Sequence, residues 1–334
     1  MNKSNLLVTG SSGYLGSHLL SELAKTNKYN LTGLDFIATS KHLNSVKYIK
    51  ADINETDLLL KSLDGIDIIC HCASLLDSKP FTKDQYFTSN IKGTQNLYNS
   101  AKKKGINKII LTSSVSVINA KLKTVDWPVN ENIEIEPEDF YGKSKKEQEM
   151  IARNFAEDKS IQTLALRPCA FFPIADPERG FRLTGSHAMI EDIVNAHVLG
   201  VEVLLNKEKS SKLNSFEAIF ITNKLPYKNS DKKLIGNGGK MKKLIKKYWP
   251  DNAKNILELG YKKAFLQSVY DLRKAKSILN WQPNFNFDEW LIYCKERNLN
   301  FDEIKNKHKA KKSLIAAKKS ICKKWPMCRI LSCS

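Results

Sequence analysis

The sequence predicts an α/β fold: a doubly wound parallel sheet with crossover helices, followed by a smaller C-terminal part. Two observations carry this prediction. Short β-like runs alternate with helical patterns through the first half of the chain. Beyond Pro168 the alternation loosens at two prolines and a glycine, before a further helix over about residues 190–203.

The individual elements follow from apolar periodicity and from the turn residues between them. The predicted strands are Asn5–Thr9, Asn30–Asp35, Val46–Asp52, Ile66–Ala73, Lys108–Ser113 and Thr163–Arg167. The predicted helices between them are Tyr14–Lys25, Thr56–Leu63, Phe87–Lys104 and Tyr141–Glu157. This order is typical of a parallel sheet with helices on both faces.

A glycine-rich turn links the first predicted strand to the first predicted helix, over residues 9–16. Glycines let the backbone approach a pyrophosphate closely, and a helix N-terminus offers N–H donors and partial positive charge. We therefore predict that this turn binds the phosphates of a dinucleotide. The residues predicted to do so are Gly10, Gly13, Tyr14, Leu15 and Gly16.

Asp35, at the end of the second strand, indicates which dinucleotide binds. A carboxylate there accepts hydrogen bonds from the adenosine ribose hydroxyls and repels a 2′-phosphate. The sequence therefore predicts NAD in preference to NADP. Asp52 and Ile53, at the end of the third strand, are predicted to hold the adenine edge. The residues predicted to line the cofactor after the fourth strand are Cys72, Ala73 and Ser74.

Catalysis is predicted from a Tyr-x-x-x-Lys spacing, which places both side chains on one helix face, about one turn apart. A nearby ammonium lowers the pKa of a phenol, so the tyrosine can exchange a proton while hydride moves. The spacing alone is unspecific. It occurs three times, at Tyr98 and Lys102, at Tyr141 and Lys145, and at Tyr270 and Lys274.

Context favours the pair of Tyr141 and Lys145. Tyr98 lies late in a helix that leads to the amino end of the next strand, whereas binding sites in these sheets lie at the carboxyl ends of the strands. Tyr270 falls outside the nucleotide-binding region. Tyr141 opens a helix after the strand that ends near Ser114, so both hydroxyls can converge on one substrate oxygen.

The order of these motifs resembles the NAD-dependent epimerase/dehydratase branch of the extended short-chain dehydrogenases/reductases, over roughly residues 5–295. That resemblance implies a Rossmann domain and a catalytic trio of Ser114, Tyr141 and Lys145, with Lys145 also holding the nicotinamide ribose. It further implies cofactor contacts from Asn90, Tyr141, Lys145 and Pro168. Its other matches include the segment at Glu191 and Asp192, and Trp281 with Pro283 near the C-terminal end.

Departures from the family pattern narrow the activity. The chain lacks the Asp-Glu pair that 4,6-dehydratases carry after the catalytic serine, because Val115 and Ser116 follow Ser114. The segment between Pro168 and Glu191 is shorter than in nucleotide-sugar enzymes. Residues 216–226 resemble a strand of the 3β-hydroxysteroid dehydrogenase and dihydroflavonol reductase relatives. We therefore expect oxidation or reduction at the CH–OH or ketone group of a small, steroid-like or flavonoid-like substrate.

Two alternatives stay open. One is a nucleotide-sugar epimerase, in which the cofactor is reduced and reoxidised within a single turnover. The other is a regulatory protein that binds NAD without catalysis, although such a sensor has no need of the proton donor at Tyr141.

The domains are predicted as residues 1–168 for NAD binding, 169–304 for the substrate, and 305–334 as a basic tail that need not be rigid. The net charge of +19 lies entirely in that tail and in residues 224–263. Because basic segments of this kind are usually solvated surface, we favour that interpretation over a nucleic-acid-binding surface. We predict no membrane span and no metal site, and take the cytoplasm as the default compartment. The sequence leaves a homodimer open.

Overall fold

The computed structural model describes residues 3–39, 42–76, 81–174, 178–234, 241–258 and 268–296. Within these residues, seven strands form one parallel sheet in the order β3-β2-β1-β4-β5-β6-β7. The strands are β1 (Ser4–Thr9), β2 (Tyr29–Asp35), β3 (Val46–Lys50), β4 (Ile68–His71), β5 (Lys108–Thr112), β6 (Gln162–Pro168) and β7 (Phe216–Ile221). The strand order reverses between β1 and β4, and such a switch point is where doubly wound sheets bind ligands.

The described helices are α1 (Tyr14–Thr26), α2 (Thr56–Ser62), α3 (Lys83–Tyr86), α4 (Gly93–Lys103), α5 (Phe140–Glu157), α6 (Glu178–Leu183), α7 (Ile190–Leu205), α8 (Lys207–Ser211), α9 (Met241–Tyr248), α10 (Ala253–Glu258), α11 (Arg273–Leu279) and α12 (Phe287–Glu296). A π-helical turn (Phe87–Lys92) precedes α4, and 3₁₀ turns cover Val115–Lys123, Asn229–Leu234 and Pro250–Asn252. Helices α1 and α7 pack together on one face of the sheet, and α2, α4 and α5 cover the other.

The predicted fold class is confirmed, and most predicted elements match within one or two residues. The main differences concern two elements. Strand β4 is shorter than the predicted run of residues 66–73, because it leaves its neighbours after His71. The predicted helix of residues 87–104 begins as a π-helical turn, which hydrophobic periodicity does not distinguish from an α-helix.

The chain forms two compact units, one of which contains the whole sheet. That unit comprises residues 1–173, 186–229 and 267–286, and the other comprises residues 174–185, 230–266 and 287–334. The domain boundary predicted at Pro168 stays a prediction. The basic tail of residues 305–334 lies outside the described residues. None of the described helices is long and apolar enough to cross a membrane.

The second unit is held by aromatic packing. The ring of Phe287 lies 5.5 Å from that of Trp290 and 4.8 Å from that of Trp249, measured between centroids. The Trp249 indole N–H donates to Asp288 Oδ1 at 2.6 Å. Gly180 lies against the Trp290 ring, where a Cβ would overlap it.

In the sheet unit, Asp192 joins the start of α7 to the segment after α11. Its carboxylate accepts from the backbone N–H groups of Asn284 at 2.8 Å and Phe285 at 3.2 Å. Its carbonyl accepts from the Trp281 indole N–H at 3.0 Å. Asp192 and Trp281 both contributed to the family resemblance, although they are far apart in the sequence. Their contact joins the start of α7 to the segment that follows α11.

A buried ion pair sets the position of α5 against β6. Arg167 and Glu149 are both fully buried, and two hydrogen bonds of 2.8 Å join the guanidinium to the carboxylate. The Ser113 hydroxyl donates to Glu149 Oε1 at 2.6 Å. Because removing one partner would leave an uncompensated buried charge, this cluster holds α5 in one register relative to β5 and β6.

Candidate active site

A cleft of about 320 Å³ lies at the carboxyl ends of the first four strands, across the switch point. Many of the residues predicted to contact the cofactor line it: Gly10, Gly13, Asp35, Asp52, Ile53, Cys72, Ala73 and Ser74. They come from four different strand ends, so the parallel topology is what brings them together.

The glycine-rich turn has the shape that a pyrophosphate site requires. Gly10 has φ of 70°, and a Cβ there would lie 2.7 Å from the backbone nitrogen of Ala73. A Cβ at Gly16 would overlap the Gly10 carbonyl oxygen. Among the described residues of α1, the first turn carries no acidic side chain that would repel a phosphate. A side chain at either glycine would collide with neighbouring backbone, so only glycine allows this tight turn into the helix N-terminus, which is the form that fits a dinucleotide's pyrophosphate.

Asp35 is fixed beside this turn by two backbone donors. Its Oδ2 accepts from the N–H of Ser12 at 2.9 Å, and its Oδ1 accepts from the N–H of Ile37 at 3.0 Å. Each carboxylate oxygen has a second lone-pair direction, so the group keeps acceptor capacity toward the cleft. The side chains of Phe36 and Ile37, both more than half exposed, extend the cleft wall on this side.

Lys145 lies one turn into α5 and is almost completely buried. Its Nζ donates to the carbonyl oxygen of Thr112, the last residue of β5, at 2.9 Å. Burial lowers the pKa of its ammonium to about 7, against the opposing charges of Cys72 and Glu149. The amine is therefore poised between its charged and neutral forms near neutral pH.

Tyr141 opens α5 and lies close to Lys145. The Lys145 Nζ is 5.7 Å from the centre of the Tyr141 ring, and the ring itself is buried. Ser114 follows β5, and its Oγ lies 3.1 Å from the hydroxyl oxygen of Ser116 and accepts from the Ser116 N–H at 3.1 Å. The carboxyl end of β5 and the start of α5 thus supply the serine and the tyrosine, as the sequence predicted.

Asn90 connects the cleft wall to α5 from within the π-helical turn. Its side-chain amide bonds to both backbone groups of Leu75, which lines the cleft, at 2.7 and 3.1 Å. It also donates to the Ser144 hydroxyl at 2.9 Å. The backbone carbonyl oxygen of Asn90 accepts from Gln148 Nε2 at 3.1 Å, so two hydrogen bonds connect the π-helical turn to α5.

His71 lies in the same buried network. Its Nδ1 is 2.7 Å from the Thr9 hydroxyl, and its Nε2 is 2.9 Å from the Thr94 hydroxyl. Thr94 donates its one proton to the Asn90 carbonyl at 2.6 Å, so His71 Nε2 must carry the proton toward Thr94. Burial lowers the pKa of His71 to about 3, which keeps the ring neutral.

The other two Tyr-Lys spacings have different surroundings. Tyr98 is buried against the Thr163 hydroxyl at 3.2 Å, and Lys102 pairs with Asp158. Tyr270 is buried with its ring 4.8 Å from that of Phe220, and Lys274 pairs with Glu217 at 2.7 Å. In neither pair does the lysine share the buried environment of its tyrosine.

Some predicted cofactor residues lie outside the set that lines the cleft: Tyr14, Leu15, Gly16, Asn90, Tyr141, Lys145 and Pro168. Leu15 and Gly16 are buried behind the turn, and Pro168 is buried at the end of β6. Sequence analysis missed other lining residues. Phe36 and Ile37 could have been found from their position next to Asp35, whereas Leu75 and Ser89 belong to no recognised motif.

Comparison with known proteins identifies the family. The model of the 3-beta hydroxysteroid dehydrogenase/isomerase family matches residues 7–235. The chain belongs to this family. Membership confirms the resemblance to the extended short-chain dehydrogenases/reductases. The predicted roles of the individual site residues stay predictions.

Two curated relatives are sterol enzymes. The human sterol-4-alpha-carboxylate 3-dehydrogenase, decarboxylating, is 29% identical over 66% of this chain and 62% of the human protein. The chain therefore spans less than two thirds of that relative's length. The Saccharomyces cerevisiae enzyme of the same name is 25% identical over 66% of this chain and 71% of the yeast protein.

A solved structure shares the fold. The UDP-glucuronic acid 4-epimerase from Bacillus cereus, in complex with NAD, superposes with a TM-score of 0.61 and is 23% identical. The match covers 90% of this chain and 99% of the epimerase. At this identity the likeness concerns the fold.

The buried state of Lys145 gives a test that needs no substrate. The ordinary lysine pKa is 10.5, whereas the folded value is about 7. Between these values the unfolded chain binds more protons, so the free energy of unfolding should rise with pH, by at most about 1.4 kcal/mol per unit. Lys145→Met should remove this rise, and its stabilising effect should be largest at and below about pH 7 and should shrink toward pH 10.5. Urea unfolding at several pH values measures both.

Lys143→Met is the matched control, because Lys143 is exposed on the same helix. It should leave the pH dependence of stability as in the parent chain. If the difference between the parent and Lys145→Met does not vary with pH, the folded chain does not hold Lys145 in the proposed environment.

Proposed function

We propose that this chain is an NAD-dependent dehydrogenase that acts on a secondary alcohol or ketone of an apolar, steroid-like or flavonoid-like substrate. The observation that carries the proposal is the buried Lys145, one helical turn from Tyr141 and beside a cleft that fits a dinucleotide. The sterol dehydrogenases among the relatives support the substrate class.

The chain's own groups would divide the chemistry. When bound, NAD supplies the hydride acceptor or donor. The Tyr141 hydroxyl would exchange a proton with the substrate oxygen, and the Ser114 hydroxyl would hold that oxygen by a hydrogen bond. Lys145 would bind the nicotinamide ribose and favour the phenolate form of Tyr141.

Apolar side chains beyond two strand ends agree with an apolar substrate. Leu76 follows β4 and is 47% exposed, and Phe172 follows β6 and is 46% exposed. Ligands of doubly wound sheets bind at this edge, so these side chains are placed where they could contact an apolar substrate.

A second candidate is a nucleotide-sugar epimerase. The observation in its favour is a sequence relative from Bacillus subtilis described as an uncharacterized UDP-glucose epimerase, which is 28% identical over 52% of this chain and 58% of that protein. Its chemistry needs the same tyrosine and lysine, so the site residues alone do not separate the two candidates.

A substrate screen separates them. Purified protein with NAD⁺ is offered hydroxysteroids, flavanols and UDP-sugars, and NADH formation is followed by absorbance. Net NADH from a hydroxysteroid or flavanol is the expected result. Interconversion of a UDP-sugar without net NADH would replace the proposal with the epimerase, and NAD⁺ binding without any turnover would favour a regulatory protein.

Asp35 should determine the preference for NAD. The parent chain is expected to bind NAD⁺ more tightly than NADP⁺, because the carboxylate accepts from the ribose hydroxyls and repels a 2′-phosphate. Asp35→Ala should weaken NAD⁺ binding and narrow the preference, as measured by calorimetric titration. Equal or tighter NADP⁺ binding by the parent would remove Asp35 from this role.

Tyr141→Phe tests the chemistry, because it keeps the ring and removes only the hydroxyl. With a substrate from the screen, kcat should fall by on the order of 10²-fold or more, while NAD affinity stays nearly intact. Tyr98→Phe and Tyr270→Phe serve as controls with the same spacing to a lysine and should retain turnover. A collapse of turnover in Tyr270→Phe, with normal turnover in Tyr141→Phe, would show that the wrong pair had been assigned.

A further inference from the structure

The carboxyl end of β5 leaves the sheet where the site is built, and side chains hold it there. Pairing with β4 extends only to His71 and Leu111, whereas pairing with β6 continues to Thr112. Ser113 is tied to Glu149 and Ser114 to Ser116. The Ser113 N–H still donates to the Leu166 carbonyl at 2.7 Å, so β6 holds these residues on one side, and side-chain contacts act where β4 no longer pairs.

Thr112 is tied to α7 through His197. Its hydroxyl oxygen lies 2.9 Å from His197 Nε2, and both residues are buried. The other ring nitrogen, Nδ1, lies 2.8 Å from the carbonyl oxygen of Ile193, one turn earlier on α7. A carbonyl only accepts, so Nδ1 carries the ring proton and Nε2 accepts from the Thr112 hydroxyl.

This assignment also orients the thiol in the cleft wall. Thr112 Oγ1 lies 3.5 Å from Cys72 Sγ, and Cys72 lines the cleft. Since the single Thr112 proton is given to His197, Thr112 faces the Cys72 thiol as an acceptor. Burial raises the pKa of Cys72 to about 11, so the thiol retains its proton.

Thr112 thus links two helices, α7 through its hydroxyl group and α5 through its backbone carbonyl. Its hydroxyl is held by His197 on one face of the sheet, and its carbonyl oxygen accepts from Lys145 Nζ on α5, at 2.9 Å. We propose that His197 is a positioning residue for Lys145: it fixes Thr112, and Thr112 presents the carbonyl that holds the lysine at the cofactor. The proposal rests on the role of Lys145 in the proposed function.

Any buried histidine needs partners for both ring nitrogens, and what distinguishes His197 is that one partner is Thr112, whose carbonyl binds Lys145. His197 is completely buried, and both of its ring nitrogens have hydrogen-bond partners. One bond lies within α7 and concerns only that helix. The other joins α7 to Thr112, whose backbone carbonyl accepts from Lys145. The two ring nitrogens therefore make different contacts, and each contact can be tested separately.

Two variants separate them. Asn places its amide where Nδ1 lies and can keep the bond to Ile193, whereas Gln reaches the position of Nε2 and can keep the acceptor for Thr112. Each variant loses one hydrogen bond of the buried ring, so their free energies of unfolding should fall by similar amounts. Urea unfolding checks that match.

Function should differ between these matched variants. In calorimetric titrations we expect His197→Gln to bind NAD⁺ about tenfold more tightly than His197→Asn. A tenfold difference in affinity corresponds to the free energy of about one hydrogen bond. With a substrate from the screen, kcat should follow the same order. Equal NAD⁺ affinity and equal kcat in two variants of matched stability would overturn the proposal.

A second pair at Thr112 keeps the test decisive if a His197 variant fails to fold. Thr112→Ser keeps the hydroxyl, and Thr112→Val keeps the shape without it. Thr112→Val should reproduce the affinity loss of His197→Asn, and Thr112→Ser should stay close to the parent. Adding Thr112→Val to His197→Asn should cost little more than either alone, because both remove the same bond.

The NAD⁺ affinities keep this proposal apart from the proposed function. If no tested alcohol is oxidised but the paired variants differ in affinity as expected, the substrate class is wrong and the positioning role stands. If alcohols are oxidised but the paired variants do not differ, the positioning role is wrong and the dehydrogenase assignment stands.

Discussion

The site depends on one contact, the hydrogen bond from Lys145 to the backbone carbonyl of Thr112. An ammonium withdrawn from water needs an acceptor, and a carbonyl at the end of β5 provides one only where the strand has left its neighbour. The catalytic helix must therefore meet β5 at one register. The buried pair of Arg167 and Glu149 enforces that register one turn further along α5.

The cleft and the catalytic helix are joined through the π-helical turn. An extra residue in that turn frees the Asn90 carbonyl from the regular helical pattern, so that it accepts from Thr94 and Gln148. The Asn90 side chain at the same time bonds to Leu75 in the cleft wall. A change in the wall would consequently reach α5 through a chain of short, buried hydrogen bonds.

Much of this could be predicted from the sequence, because it is written in side-chain types and their spacing. The glycine turn, Asp35 at a strand end and the position of Tyr141 at a helix start each have a physical signature in the residues themselves. The partner of Lys145 could not be predicted, since every residue carries a backbone carbonyl. The role of His197 could not be predicted either, because its contact with Thr112 exists only when α7 is placed over β5. The π-helical turn was missed because its apolar pattern resembles that of the α-helix that follows.

The comparisons and the site limit the function in different ways. The family model places the chain in the 3-beta hydroxysteroid dehydrogenase/isomerase family, and the geometry shows which of three identical spacings has its lysine buried beside its tyrosine. The most direct test of the account is a crystal structure of the chain with NAD bound. We expect the Lys145 amine within hydrogen-bond distance of the nicotinamide ribose while it still contacts Thr112, with the Tyr141 hydroxyl facing the nicotinamide. A cofactor bound in the cleft with its nicotinamide away from both side chains would contradict the central claim.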